Sequence, residues 1–212
     1  MSTSLVTVFG GTGFVGRHTV RALAKAGKRI RVAVRHPHQG FFLPPMGTVG
    51  QIALIKCDVR EADQVAAAAA GADAIINLTG ILYPRGGQDF EAVHVDAADA
   101  IAKAAKAVGA RTLVHVSAIG ADKDSESGYA ASKGEGEARV RDAFPGAAIV
   151  RPSLVFGPED EFFNRFAAPG ARAAGTAADR RRPYPIPAGV RRRHGGRHRV
   201  PGAGSRAGRQ GL

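Results

Sequence analysis

Three glycines, at positions 10, 13 and 16, stand between an apolar run and a helix-like stretch at the very start of the sequence. Leu5-Val-Thr-Val-Phe9 reads as a strand. Arg17 to Ala26 repeats apolar residues at helical spacing, so that Val20, Leu23 and Ala24 share a face. A strand that becomes a helix through G-x-x-G-x-x-G has few ways to fold. Gly10 permits a tight turn, Gly13 lets backbone amides approach an anion, and Gly16 lets the helix pack closely on the strand. The positive end of the helix dipole then faces a phosphate held in the turn. A glycine pattern alone is weak evidence. Placed after a strand, before a helix and near the first residue, it predicts a dinucleotide-binding turn.

The rest of the chain keeps the same alternation. Strands are expected at Ile30–Val34, Ile52–Cys57, Ala74–Leu78, Thr112–Val116 and Ala147–Val150. Helices are expected at Asp63–Ala70, Asp89–Val108 and Ser132–Ala143, with Pro37–Gly50 as a loop. Strands that are apolar on both sides and alternate with helices predict an α/β fold, a Rossmann-type doubly wound parallel sheet with right-handed crossovers. The expected organisation is a dinucleotide-binding domain over 1–157, the start of a truncated substrate lobe over 158–168, and a disordered basic tail over 169–212.

Residue types at the strand ends refine the expected ligand. Arg35 closes the second strand, where domains that prefer NAD usually place an acid for the ribose hydroxyls; a guanidinium suits a 2′-phosphate. Arg17 and His36 are near enough in sequence to assist. NADP(H) is therefore the expected cofactor, with NAD(H) as the alternative. Asp58 follows the third strand, at the expected adenine edge. Asn77, Leu78, Thr79 and Gly80 follow the fourth and should border the ribose and nicotinamide. Tyr129 and Lys133 form Y-x-x-x-K, which on a helix puts both on one face. A lysine beneath a tyrosine lowers the phenol pKa and binds a ribose, so the tyrosine exchanges a proton with a substrate oxygen. Ser117, at the end of the fifth strand, is placed to hydrogen-bond the same oxygen.

The stretches TVFGGTGFVGRH (Thr7–His18), HVSAIGAD (His115–Asp122), YAASKGEGE (Tyr129–Glu137) and VRPSLVFGPEDEFFNRF (Val150–Phe166) together resemble the short-chain dehydrogenase/reductase superfamily, in its extended and atypical branch. That branch includes the NADPH-holding accessory subunit of respiratory complex I and its bacterial relatives, some of which hold the nucleotide structurally. The resemblance covers residues 1 to about 168. It implies cofactor contacts at Gly10, Thr12, Gly13, Phe14, Val15, Arg35, Asp58, Val59, Ser117, Tyr129, Lys133 and Arg151. It also implies respiratory complex I, or the inner membrane surface, as a partner. Three other readings compete: a sugar-nucleotide epimerase or dehydratase, a respiratory-chain assembly or structural factor, and a nucleic-acid binder.

The last of these rests on charge. The net charge is +12, but residues 169–212 hold 11 Arg and one acid, Asp179, so residues 1–168 are close to neutral. Apart from Tyr184 no aromatic interleaves the arginines, which speaks against nucleic acid as the partner. Hydrophobic periodicity and family resemblance both stop at Pro169, where residues of GC-rich codons take over. Codons exist for which the tail, read one nucleotide on, regains alternating apolar residues and turn signals. The expectation is a frameshift near Ala168, which would scramble the substrate lobe, make catalysis by this chain doubtful and leave Leu154, Val155, Phe162, Phe163 and Phe166 poorly covered. The single Cys57 allows no internal disulfide and fits a reducing compartment. With no signal peptide and no apolar run near the ~20 residues that cross a bilayer, the expected address is the cytoplasm. No metal site is expected: His194 and His198 lie in the tail, and His18, His94 and His115 read as isolated.

Overall fold

In the computed structural model, which describes residues 4–155 and 157 apart from 85 and 87, one sheet organises the chain. Its strands are β1 (Leu5–Phe9), β2 (Arg29–Val34), β3 (Ile52–Lys56), β4 (Ala74–Asn77), β5 (Thr112–Val116) and β6 (Ala148–Val150). All adjacent pairs are parallel and the order is β3-β2-β1-β4-β5-β6. The strands stand within a residue of the positions their apolar runs predict. The described residues belong to Met1–Gly170, the first of two units into which the chain divides, the second being Ala171–Leu212. Phe162, Phe163, Phe166, the remainder of 158–168 and the basic tail lie outside the described residues.

Strand pairing sorts side chains onto two faces. One row crosses the sheet as Leu54, Val32, Val8, Ile76, Val114 and Ala148. Helix α1 (Phe14–Lys25) covers the Val32 and Val8 end of that face with Val20 and Ala24. No helix fills the β2–β3 connection, which instead makes 3-10 turns at Pro37–Gly40 and Pro44–Met46 and sends Leu43 into the core. Toward β6 the same face opens, and Val150 is 45% exposed. The opposite face carries Phe9, Ala33, Ile75 and Leu113 and is covered by α2 (Ala62–Ala69), α3 (Ala97–Ala107) and α4 (Gly128–Ala143). Leu154 and Val155, which follow β6, are exposed. Among the described residues no helix is long and apolar enough to cross a membrane.

Two helices depart from the expected pattern. The stretch expected to be one helix from Asp89 to Val108 is wound as a π-helix over Glu91–Asp96 and becomes α-helical only at Ala97. Wider π turns are rare and tend to mark functional sites. Helix α4 begins at Gly128, four residues before the expected Ser132, because Ser127 caps it: its hydroxyl accepts from the Ala130 amide. Tyr129 thus lies in the first helical turn. Gly136 brings α4 onto the π-helical segment, where a Cβ would fall on the His94 carbonyl oxygen. Gly136→Ala should therefore push the two apart and destabilise the fold by about 1–3 kcal/mol, measured by urea unfolding; an unchanged midpoint would refute the contact.

Candidate dinucleotide-binding site

The first turn of the chain brings backbone to backbone. Gly10 has φ +77°, and a Cβ there would stand 2.8 Å from the Leu78 carbonyl carbon and oxygen. Any other residue would force β1 and β4 apart at the edge where both end. A Cβ on Gly16 would fall on the Gly10 oxygen and on Gly11, so α1 could not start where it does. Gly13, the N-cap of α1, is different: a Cβ there would meet only the Gly10 oxygen, at 3.4 Å. Its outer side is the open floor of the site. The first turn of α1 contains no acid, leaving the helix dipole available to an anion.

These glycines open into a cavity of ≈ 490 Å³ at the carboxyl ends of β1, β4 and β5. Of the residues proposed from sequence, the structure brings together here Gly10, Gly13, Phe14, Val15, Gly16, Leu78, Thr79, Gly80, Ser117, Tyr129 and Lys133. The rest of the lining includes Leu82, after β4, and residues after β5 and β6, among them Ile119, Pro152, Leu154 and Val155.

The other proposed residues stand outside that lining. Asn77 is buried beneath it: its Oδ1 accepts from the Thr79 amide at 3.0 Å and the Thr79 hydroxyl at 2.6 Å, which shapes the turn that lines the wall. The Thr12 carbonyl accepts from an Arg17 Nη2 at 3.5 Å. Arg35 and His36 are exposed at the end of β2, and Arg17 lies over the Phe42 ring at 5.0 Å. Asp58 is ion-paired with Arg60 at 2.6 Å, a hydrogen-bonded contact that holds its carboxyl below the usual range, with Arg35 adding a smaller electrostatic pull. Val59 beside it is buried. Arg151 is engaged elsewhere, donating through Nε and Nη2 to the two carboxylate oxygens of Glu137, both at 2.7 Å.

The Tyr129–Lys133 pair differs electrostatically from its expected arrangement. Burial raises the Tyr129 phenol above its ordinary 10. The Lys133 ammonium donates to the Val116 carbonyl at 3.3 Å, and burial lowers its pKa to about 8 despite the opposing pull of Glu137. The Ser117 hydroxyl is buried and has no partner in hydrogen-bonding geometry, although it helps to hold the Glu137 carboxylate down. Burial would raise Glu137; the bonds from Arg151, with Ser117 and Arg141, outweigh it and bring the carboxyl to about 2.

Sequence spacing did not reveal two buried histidines. His115 Nδ1 meets the Asn77 amide nitrogen at 3.1 Å. His94 contacts Ser132 and Ile81, stacks on Phe90 with ring centroids 5.3 Å apart, and meets Tyr129 edge-on at 5.5 Å. Burial, then the nearby Lys133 charge, lowers His115 to about 4 and His94 to about 3. Isolated histidines carry no spacing signal; only the Tyr129 motif thirty-five residues on marks the helix that His94 meets. Cys57 is a buried core thiol, pushed up to about 11 by burial and then by Asp58.

Comparison with known proteins follows this geometry. The NAD(P)H-binding family matches residues 10–159. The chain belongs to that family. It is 39% identical over 168 residues to NADH dehydrogenase [ubiquinone] 1 alpha subcomplex subunit 9, mitochondrial, of Mus musculus, covering 79% of this chain and 45% of that one. It is 40% identical over 156 residues to a ceramide reductase of Caulobacter vibrioides, covering 74% and 48% respectively. The chain thus spans about half the length of the curated relatives it matches. The fold is shared with UDP-glucuronic acid 4-epimerase from Bacillus cereus in complex with NAD, at TM-score 0.60 and 19% identity, covering 74% of this chain and 59% of that one.

Acid should weaken the fold in two overlapping steps. His94 and His115 have folded pKa values below their ordinary 6.5, so the unfolded state binds protons first and stability falls from about pH 6.5 down to about 3–4. Glu137 is depressed from 4.5 to about 2, so its contribution is complete above 4.5 and is lost between 4.5 and 2. Arg151→Met should lower the urea midpoint at neutral pH and flatten the lower of these steps. A variant with the parent's acid profile would refute the role given to the Glu137–Arg151 pair.

Proposed function

We propose that this protein binds NADPH and that Tyr129, Lys133 and Ser117 serve the proton transfer of a carbonyl–alcohol reduction. The observation that carries the reading is their convergence: Ser117, Tyr129 and Lys133 line the same cavity as the glycine turn. The turn at Gly10–Gly16 would hold the pyrophosphate, and Arg35, with Arg17 and His36, the 2′-phosphate. The bound nicotinamide supplies hydride. Tyr129 keeps its proton at neutral pH because burial disfavours the phenolate, and gives it to the carbonyl oxygen as negative charge develops there. Ser117 donates to the same oxygen and orients it. Lys133, charged below about 8, favours the phenolate left behind.

The cavity wall also speaks to the substrate. Leu78, Leu82, Ile119, Leu154 and Val155 line it, and Lys133 is the one charged residue among the described lining. That apolar wall suits an apolar ketone. The similarity to a ceramide reductase supports that choice. A second reading, supported by the similarity to a complex I subunit, is that the nucleotide is held as a structural pin without turnover. The frameshift near Ala168 is a separate proposal, independent of either reading; the nucleotide sequence from codon 160 onward tests it.

Titration with both reduced cofactors tests the core of the proposal. NADPH should bind at least about tenfold more tightly than NADH, as one charge-assisted pair implies, and Arg35→Ala should erase the difference. Equal affinities in the parent, or tighter NADH, would overturn the preference. Loss of reduced-nicotinamide absorbance with a long-chain ketone, abolished in Tyr129→Phe, supports reduction; cofactor that stays reduced with every ketone tried supports the pin.

A further inference from the structure

The π-helical turn that interrupts the expected helix carries His94 into the wall of the cleft from behind. The ring is 1% exposed and both nitrogens are engaged. Nε2 accepts from the Ile81 amide at 3.0 Å, so that nitrogen bears no proton. The neutral ring then has its proton on Nδ1, which lies 2.9 Å from the Ser132 hydroxyl oxygen and donates to it. Ser132 in turn donates to the Tyr129 carbonyl at 2.9 Å. The three bonds run in one direction, from the Ile81 amide through the imidazole and Ser132 to the first turn of α4. One end of this chain is the turn that carries Gly80; the other carries Tyr129 and, one helical turn on, Lys133.

Gly80 shows how tightly the two ends meet. A Cβ added there would lie 3.4 Å from Lys133 Nζ and 3.7 Å from His94 Nε2. Phe90 stacks on the far side of the imidazole and meets Tyr129 edge-on at 5.8 Å, so Tyr129 has aromatic walls from both. Tyr129 faces the ring edge-on; of the charges that act on His94, Lys133 weighs most, followed by His115, and both oppose its protonation. A neutral ring is what the relay of bonds requires.

We propose that His94 is a positioning residue for the nicotinamide end of the cleft: by bonding Ile81 and Ser132 at once it ties the Gly80 turn to the first turn of α4 and fixes where Tyr129 and Lys133 stand. This rests on the reading of the cleft as an NADPH site. His94 touches neither cofactor nor substrate in that role; it acts through the groups that do. The π-wound turn is the backbone that presents His94 to the Ile81 amide.

The experiment compares two ligands on the full chain: NADPH, and 2′-phospho-ADP-ribose, which lacks the nicotinamide. His94→Phe keeps a ring on Phe90 but makes neither hydrogen bond. It should weaken NADPH about tenfold, the worth of one or two hydrogen bonds, while 2′-phospho-ADP-ribose binds as in the parent. Ser132→Ala should repeat the pattern more weakly, and Ser132→Thr, which keeps the hydroxyl, should restore it. Both ligands unchanged in both variants, or both weakened equally, would overturn the proposal. If His94→Phe does not fold, the Ser132 pair decides alone. If the parent binds neither ligand the NADPH reading fails, and the tie is then judged by hydrogen exchange at Ile81. Exchange that is slow in the parent and fast in Ser132→Ala supports it, and equal exchange overturns it.

Discussion

Everything in the site depends on six parallel strands all ending at one edge and on the reversal of direction between β1 and β4. From β1 the chain leaves through α1 on one face and returns as β2; from β4 it leaves through α3 on the other and returns as β5. The two departures diverge, and a crevice opens between them. Its width is set by backbone contact, because Gly10 rests against the Leu78 peptide with no room for a Cβ. Gly16 repeats the device where α1 meets its own turn, and Gly136 where α4 meets the π-helical segment. Side chains that line the cleft are thus carried on elements whose separations are fixed by missing side chains. Their positions tolerate little adjustment.

The strands were legible because parallel strands buried on both faces leave uninterrupted apolar runs, and each run here is closed by a glycine or by polar or charged residues. The glycine turn was legible because backbone geometry restricts which residue can stand at a positive φ. The start of α4 was not. Gly128 to Ala131 contribute almost nothing to a hydrophobic face, and what begins the helix is the Ser127 cap, a single hydrogen bond that leaves no periodic trace. The π turn was hidden for a related reason: one added residue per turn shifts the face of the six residues Glu91–Asp96 and leaves the overall apolar spacing intact. Arg151 shows the other limit. The family resemblance implied a ligand contact there, and only the fold reveals that a fully buried Glu137 accepts two hydrogen bonds from its guanidinium.

Beneath the cleft, at the carboxyl ends of the strands and on the face covered by α3 and α4, lies a layer of buried polar groups: Asn77, His94, His115, Ser117, Ser132, Lys133 and Glu137. Burial alone disfavours charge on every one that titrates, yet the outcomes diverge. Glu137 stays ionised because guanidinium groups of Arg141 and Arg151 supply three hydrogen bonds to its two oxygens. The histidines lose their charge because their partners, a backbone amide, a hydroxyl and an amide side chain, are all neutral and Lys133 adds repulsion. Lys133 falls between: one carbonyl bond and a distant carboxylate leave its pKa about 8. The number and charge of partners therefore decide the state of each group, and the result concentrates the layer's positive charge on Lys133, the one titratable group of the layer in the described cavity lining. An anionic ligand entering there meets a cation whose desolvation the fold has already met. The surrounding imidazoles, held neutral, serve as fixed hydrogen-bonding struts and do not compete with Lys133 for that ligand.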